Sequence, residues 1–454
     1  MKEENFMKAK KITAVLLAVC LAAGAMSGCG KSSSTASQAA SKSASRQEIN
    51  FWYHSADTVT DAYFKDLFVK LNKQQDNYTF SYTSFAFKDF QNKFQIAVTT
   101  NTMPDVVSLG FSNIATFVSQ NSLLPMNDYV NKISEYKDID EQIMKNLKDM
   151  YNGKIYGVPY AYNQEVAWYN TKLFQEKGIQ APPTTQTEFL NLCKKYADSK
   201  NGKYFYSLRG VRPYDSLLAW LFTYTNGAGY KGSWFDENGK CILSKPEFAK
   251  ALDAYVNLYK SKEVSGNSVN NNYSEVVAEF GSGVSMYIIH NSSSESTHVK
   301  NLGEGNFASA RVLANDQGHY FASGLQPNVY CLPNHGTNHD YTGALALISY
   351  LTNAENEGAM CQTIGRIPCN KEVSSQDWYK KSKNMKLYES YLSDDNYFQI
   401  ENPYWLSDFS SFITNDMTAD FQAVLLGKMT SQACLQKWAS AIDKYQQAYL
   451  AKNK

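Results

Sequence analysis

One stretch constrains the fold of this 454-residue chain more than any other: residues 153–174, GKIYGVPYAYNQEVAWYNTKLF. A turn that contains Gly and Pro is followed there by an uncharged aromatic run and then by a second apolar run. Glycine and proline permit sharp changes of backbone direction, and Tyr160, Tyr162 and Asn163 are side chains of the kind that faces a polar, ring-shaped ligand. The pattern predicts a strand that crosses between two bodies of the protein. The alternative is an ordinary buried strand whose tyrosines belong to the core.

Chain length and charge narrow the class of protein. A chain of 454 residues exceeds the size at which a single core keeps growing, so two lobes are expected. The formal net charge is +1, and residues 1–28 carry four Lys and two Glu, so the remainder carries −1. Such a balance argues against nucleic acid or an anionic membrane surface as a partner of the folded body.

The N-terminus has the pattern of an export signal. Lys8, Lys10 and Lys11 precede an apolar run over residues 12–25. This run is too short to span a membrane and remain there, so a secretory signal peptide over residues 1–28 is predicted.

The segment that follows predicts a lipid anchor. AMSGCG resembles a bacterial lipobox, in which the cysteine, here Cys29, is lipidated and becomes the new N-terminus. Residues 29–48 are rich in Ser and Ala and contain no aromatic residue, so they are predicted to be a disordered tether. We therefore expect a protein held by lipid on the extracytoplasmic face of the cell membrane.

The cysteines and the histidines give no metal site. Beyond Cys20 and Cys29, six cysteines are scattered without a CxxC motif, so neither a zinc site nor a dense disulfide framework is indicated. His335 and His339 stand four residues apart, but the glycine and asparagine between them favour a loop over a metal-binding helix. No cofactor is predicted.

Strand-like and helix-like patterns alternate from residue 49 onward. INFWY, YTFSYTSF and MPDVVSLG are typical of strands, and each of the first two is followed by an amphipathic helical pattern. This alternation predicts a parallel sheet, which binds ligands beyond the carboxyl ends of its strands. Trp52, His54 and Phe111 lie at those predicted ends.

Several motifs resemble one family. They are Gly-Lys-x-Tyr-Gly-x-Pro at 153–159, Tyr-Asn at 169–170, Pro-Pro-x-Thr at 182–185 and Gly-Lys-x-Thr at 427–430. In this order and spacing they are similar to the family 1 extracellular solute-binding proteins, the receptor lipoproteins of ABC importers for sugars and oligosaccharides. The resemblance touches segments over residues 49–449.

The resemblance implies an α/β fold with two lobes, the type II periplasmic-binding-protein architecture. Each lobe is then a mixed, mainly parallel sheet flanked by helices, and the ligand cleft lies between the lobes. Three crossings are expected, near Tyr162, Ser323 and Val373. The first lobe would comprise residues 49–162 and 324–373, and the second lobe residues 163–323 and 374–454.

The resemblance also implies site residues. Tyr214 matches an aromatic residue of the second-lobe binding turn, although a structural ring at a helix start is the alternative. His290 and Asn291 follow the Met286 strand, where the family often has Gly and Trp, and an ordinary loop histidine is the alternative for His290. Trp405 is a candidate aromatic contact or a core residue. Arg366 is interpreted as solvent-exposed, with a position facing the cleft as the alternative. The predicted ligand-binding residues are Trp52, His54, Phe111, Tyr160, Asn163, Tyr214, Asp215, His290, Asn291, Ser323, Gly324 and Trp405.

The function predicted from these features is capture of a mono- or oligosaccharide by hinge closure and its delivery to the transmembrane subunits of an ABC permease, by a monomeric protein without catalytic residues. The missing Trp favours a second hypothesis, a receptor for a peptide, a polyamine or another polar solute. Asp57, Glu165 and Asp215 would bind a cation if they converge. A surface glycosidase is the competing class, but hydrolytic and phosphate-binding motifs are lacking from the sequence.

Overall fold

The computed structural model describes residues 46–54, 58–323 and 326–452. The strands of these residues are β1 Gln47–Tyr53, β2 Tyr78–Ser84, β3 Val106–Leu109, β4 Val158–Tyr162, β5 Glu165–Asn170, β6 Tyr204–Tyr206, β7 Ser285–Asn291, β8 Phe307–Ala310, β9 Tyr320–Ser323, β10 Asn328–Cys331, β11 Ile367–Pro368 and β12 Tyr397–Ile400. The predicted signal peptide, Cys29, Asp57 and Gly324 lie outside the described residues.

The helices cover the faces of the sheets. In chain order they are α1 Thr58–Gln74, α2 Phe87–Thr100, α3 Ile114–Ser119, α4 Glu141–Met150, α5 Thr171–Glu176, α6 Gln186–Lys195, α7 Tyr214–Tyr224, α8 Pro246–Lys260, α9 Tyr273–Gly281, α10 Glu295–Leu302, α11 Thr342–Thr352, α12 Ala354–Ile364, α13 Asp377–Lys381, α14 Lys383–Leu392, α15 Phe409–Ser411, α16 Met417–Leu425 and α17 Ser431–Lys452. Within the described ranges, none of these helices is both long and apolar enough to cross a membrane.

The first lobe is built on a six-stranded sheet with the order β11-β4-β10-β3-β1-β2. β1 runs parallel to β2 and β3, as the sequence predicts, while β10 is antiparallel to β3 and β4. Four strands, β1 to β4, therefore share one direction, and β10 and β11 oppose it. β1 begins at Gln47, two residues before the predicted start of the folded body.

Aromatic side chains, which make up 14% of the sequence, are prominent in the core of this lobe. α1 buries Phe64 and Phe68 on the face that packs against the sheet, at helical spacing. Phe51 of β1 stacks on Phe68 with ring centroids 6.0 Å apart and contacts the edge of Tyr330 at 5.6 Å. Aromatic rings thus fill the space between the sheet and its helices.

The second lobe is built on a four-stranded sheet with the order β6-β7-β5-β8, to which a parallel pair, β9 and β12, is added. β6 and β7 are parallel, whereas β5 is antiparallel to both β7 and β8. Three strands therefore run one way and β5 runs the other. The prediction of mixed sheets flanked by helices is confirmed, but five of the nine strand pairings among the described residues are antiparallel, so the sheets are not mainly parallel.

The stretch at 153–174 spans both sheets. β4 belongs to the six-stranded sheet, β5 belongs to the four-stranded sheet, and only Asn163 and Gln164 separate them. All five residues of β4 are buried, so Tyr160 and Tyr162 are also core residues and both interpretations of this stretch hold in part. Gly157 is required for close packing, because a Cβ there would lie 2.8 Å from the Cβ of Val329.

Candidate ligand-binding site

The direction of the strands determines which residues share one edge of the first sheet. His54 follows β1, Gly110 follows β3, and Tyr162 ends β4. β10 and β11 run in the opposite direction, so their first residues reach the same edge, where Asn328 begins β10 and Arg366 directly precedes β11. The chain therefore brings residues from five separate segments to one edge.

The same reasoning applies to the second sheet. His290 and Asn291 end β7, and Arg209 lies three residues beyond the end of the parallel strand β6. β5 is antiparallel to β7, so its first residue, Glu165, lies at this edge and pairs with Asn291. Since β4 ends and β5 begins within three residues of chain, the two edges must face each other. The space between them is the candidate site.

A chain of polar groups crosses the edge of the first lobe. The Nδ1 atom of His54 lies 2.8 Å from Ser108 Oγ, and Ser108 Oγ lies 2.8 Å from the Tyr160 hydroxyl oxygen. Arg366 Nη1 donates to that hydroxyl oxygen at 3.4 Å. Burial and then the Arg366 guanidinium lower the pKa of His54 to about 3, so this imidazole is neutral at physiological pH.

The second lobe contributes an arginine between two carboxyl groups. Arg209 Nη2 lies 3.4 Å from Asp215 Oδ2, and Glu165 interacts electrostatically with both residues. Burial first, and then the charge of Asp215, raises the pKa of Glu165 to about 8, while Arg209 opposes this shift. The cations that face Asp215 are therefore Arg209 and Arg212. A cluster of three metal-binding side chains is not found within the described ranges.

Tyr273, at the start of α9, extends the site on the second lobe. Its hydroxyl donates to Asn291 Oδ1 at 2.5 Å, and its ring centroid lies 3.9 Å from that of His290. The residue is 39% exposed, and its hydroxyl interacts electrostatically with both Arg209 and Arg366. Tyr273 therefore stands between the charged groups of the two lobes.

A further polar and aromatic group is formed around Tyr404, and it includes the predicted residues Phe111 and Ser323. Phe111 meets the ring of Tyr404 edge-on at 5.2 Å, and the Tyr404 hydroxyl donates to Gln326 Oε1 at 2.6 Å. Asn402 Nδ2 donates to both Ser323 Oγ and the Tyr404 hydroxyl oxygen at 3.3 Å. Tyr404 also interacts electrostatically with Tyr214 and Asp215, which connects this group to the Arg209 cluster.

Several buried polar atoms at these edges have no hydrogen-bond partner within the described part of the chain. They are Asn163 Oδ1, Glu165 Oε2, Arg209 Nε, Asn271 Nδ2, Gln326 Nε2 and Arg366 Nε. Buried donors and acceptors are almost always paired in folded proteins. These atoms are therefore available to form hydrogen bonds with a ligand.

Trp52 and Trp405, two of the predicted ligand-binding residues, pack against helices α2 and α17 and are not part of these groups. Trp52 is half-buried and packs against Phe85, at 4.8 Å between ring centroids, on the α2 side of the sheet. Trp405 donates from Nε1 to Gln446 of α17 at 2.9 Å and neighbours Phe235. It also lines a cavity of about 300 Å³ together with residues of α3 and α17.

The sequence analysis missed Arg209 and Tyr273, and its interpretation of Arg366 as solvent-exposed is wrong. Arg366 is only 7% exposed, because Tyr160 and the opposite lobe cover it. The lobes meet beside it, since a Cβ on the neighbouring Gly365 would lie 3.3 Å from the carbonyl oxygen of Ser292. An arginine followed by a strand of two residues shows no periodicity that distinguishes a cleft from solvent.

The chain is similar to known binding proteins. A mannitol-binding protein of Pseudomonas aeruginosa is 28% identical over 182 residues, which are 39% of this chain and 40% of that protein. The GacH receptor of Streptomyces glaucescens, solved unliganded and with acarbose, is 19% identical with a TM-score of 0.74. The match covers 88% of this chain and 98% of the receptor chain. Maltose-bound MalE3 of T. maritima is 17% identical with a TM-score of 0.74, and the match covers 87% of this chain and 98% of the MalE3 chain.

These solved structures confirm the predicted two-lobe α/β fold. The family model of bacterial extracellular solute-binding proteins matches residues 66–386, which is more than half of the chain. The chain therefore belongs to the bacterial extracellular solute-binding protein family, as its sequence motifs predict.

Proposed function

We propose that this protein captures a carbohydrate outside the cell by closing its two lobes on it, and delivers it to an ABC permease. The observation that carries the proposal is the pair of facing sheet edges, where aromatic rings and unpartnered polar atoms come from both lobes. Sugar rings present apolar C–H faces and a rim of hydroxyl groups, which fit these two kinds of groups. Similar proteins named for mannitol and maltose support it.

The proposed ligand contacts combine predicted and newly found residues. The first lobe would offer His54, Phe111, Tyr160 and Arg366, and the second lobe would offer Arg209, Tyr214, Asp215, Tyr273, His290 and Asn291. Asn163, Gln326 and Ser323 lie where the chain passes between the lobes. Glu165 and Asp215 lie on the same edge and share Arg209, whereas glycoside hydrolysis requires a carboxyl group on either side of the bond.

Closure would occur about the segments that connect the two sheets. The chain passes between sheets at residues 163–164, between Ser323 and Asn328, and between Pro368 and Tyr397, and the predicted crossings lie near Tyr162, Ser323 and Val373. Ligand contacts with both lobes would favour the closed state, which is the form that a permease could recognise. Lipidation of Cys29 would hold a monomer at the cell surface, within reach of that permease.

Isothermal titration calorimetry tests the proposal. The purified protein is titrated with mono- and oligosaccharides and, in parallel, with peptides and polyamines of similar size. We expect saturable heat with at least one carbohydrate and none with the other solutes. Binding of a peptide or a polyamine, with no heat from any carbohydrate, would contradict the proposal.

A variant of Tyr273 tests whether the carbohydrate binds at the candidate site. Tyr273→Phe removes only the hydroxyl that donates to Asn291, so we expect carbohydrate affinity to fall roughly tenfold. Tyr196→Phe is the matched control, because its hydroxyl donates to the Lys177 carbonyl oxygen at the protein surface. Equal affinities for the two variants would exclude Tyr273 from the site.

A further inference from the structure

Among the residues that the structure describes, Arg366 has no acidic partner for its buried charge. It is 7% exposed, its Nη1 donates to the Tyr160 hydroxyl oxygen at 3.4 Å, and within the same residues its Nε is buried without a hydrogen-bond partner. Its principal electrostatic neighbours are the hydroxyls of Tyr53 and Tyr160 and the thiol of Cys361, all uncharged at neutral pH. Over the described residues, no carboxylate lies within ion-pair distance of this guanidinium.

Such an arrangement is costly for the protein alone. A guanidinium stays protonated in proteins, so it cannot relieve the cost by losing its charge. Burying an ion without a counter-ion costs several kcal/mol, and the cost persists until an anion approaches. A protein with no use for this charge would be more stable with an uncharged side chain at this position.

The facing lobe does not supply the missing negative charge. Glu165 and Asp215 already surround Arg209, and Asp215 also faces Arg212. Glu295, which packs beside Gly365, forms a hydrogen bond with Asn384 and, over the described residues, no ion pair with Arg366. Because burial raises the pKa of Glu165 to about 8, this group is mainly protonated at pH 7. Tyr273 interacts with both Arg209 and Arg366, so these two charges act on the same part of the cleft.

We infer that the carbohydrate is acidic, and that Arg366 binds the carboxylate of one of its uronic acid units. This inference rests on the proposed function and adds the chemical class of the ligand. The planar guanidinium presents a fork of N–H donors that matches a carboxylate in two-point hydrogen bonding. The aromatic rings and amides around it remain available for the neutral parts of the sugar.

The decisive comparison uses the unmodified full chain. Oligosaccharides of galacturonate, glucuronate and mannuronate are titrated by calorimetry, each beside its methyl ester, which keeps the sugar ring and removes the charge. Neutral oligosaccharides of the same lengths are titrated as well. We expect one of the acids to bind roughly 30-fold or more tightly than its own ester, since the ester leaves Arg366 unpaired.

Variants assign the preference to Arg366. Arg366→Gln should reduce the preference for acid over ester to within about threefold, while Arg366→Lys should retain part of it. Arg46→Gln is the matched control, because Arg46 pairs with Asp76 at the protein surface, and it should preserve the full preference. Far-ultraviolet circular dichroism checks that each variant is folded.

The outcomes separate this inference from the proposed function. Equal binding of acid and ester, or tight binding of neutral sugars alone, overturns the acidic ligand and leaves carbohydrate capture standing. No binding of any carbohydrate overturns both. An acid preference that survives in a folded Arg366→Gln variant overturns the role of Arg366.

Discussion

Single residues determine the charge of the cleft. Arg209 and Arg366 come from opposite lobes, and each is less than one-tenth exposed to solvent. Arg209 has Asp215 at 3.4 Å, whereas Arg366 has the Tyr160 hydroxyl and, among the described residues, no carboxylate. The protonation of Glu165 changes the net charge of this group. We therefore expect these few side chains to influence which ligands bind.

Glu165 gives a prediction about pH at this scale. Its pKa rises from 4.5 to about 8 on folding, so the folded state binds its proton more tightly than the unfolded state does. Its contribution to stability is therefore complete below about pH 4.5 and is lost as the pH rises through about 8. Glu165→Gln keeps the shape of the protonated form and cannot ionise.

The measurement is the thermal midpoint of unfolding of both proteins between pH 4.5 and 8.5. We expect the midpoint of the wild type to decline relative to that of Glu165→Gln as the pH increases. The more distant acidic groups titrate in both proteins, so the difference between the two curves reports Glu165 together with its interaction with Asp215. Parallel curves over this range would contradict the account of its burial.

At the scale of elements, the loop between β6 and α7 positions the side chain of Arg209. The backbone N–H groups of Gly210 and Val211 both donate to the Asn271 carbonyl oxygen at 3.0 Å. A Cβ at Gly210 would lie 2.4 Å from the carbonyl oxygens of Ser268 and Val269. Only glycine allows the loop to approach the backbone of this neighbouring segment so closely. The position of Arg209 therefore depends on Gly210.

Gly210→Ala should accordingly destabilise the protein and weaken ligand binding. We expect about 2 kcal/mol of lost stability in urea unfolding, because the backbone must shift to relieve the clash, and a lower carbohydrate affinity. Gly266→Ala is the control, since a Cβ there meets open space and should change stability by about 0.5 kcal/mol or less. Similar stabilities for the two variants would show that the loop adapts without cost.

The sequence predicts elements better than it predicts side-chain directions. The strand and helix patterns before residue 110 place His54 and Phe111 at strand ends, because the carboxyl ends of parallel strands share one edge. The sequence does not tell which of the adjacent aromatic residues Tyr404 and Trp405 faces the site. In the structure, Tyr404 faces Asp215 and Trp405 contacts α17. The path of the folded chain determines these two directions.

Residues buried by the opposite lobe are the hardest to predict. Arg366 is buried where Gly365 meets the backbone of Ser292, a contact between residues more than 70 positions apart. Local periodicity carries no information about such a contact. The same holds for Arg209 and Tyr273, whose importance follows only from the facing of the two sheet edges.

At the scale of the whole molecule, two sheets are connected so that the edges proposed to bind the ligand face each other. The two-residue passage from β4 to β5 enforces this arrangement, and the connections from β9 to β10 and from β11 to β12 complete it. Connections of this kind permit hinge motion of one lobe against the other. Capture by closure is therefore the central claim about this molecule.

Small-angle X-ray scattering tests that claim most directly. The purified protein is measured alone and with a saturating amount of the carbohydrate identified by calorimetry, and Tyr273→Phe is measured under the same conditions. We expect the radius of gyration of the wild type to decrease when the carbohydrate binds. Identical scattering curves with and without a saturating bound carbohydrate would contradict capture by lobe closure.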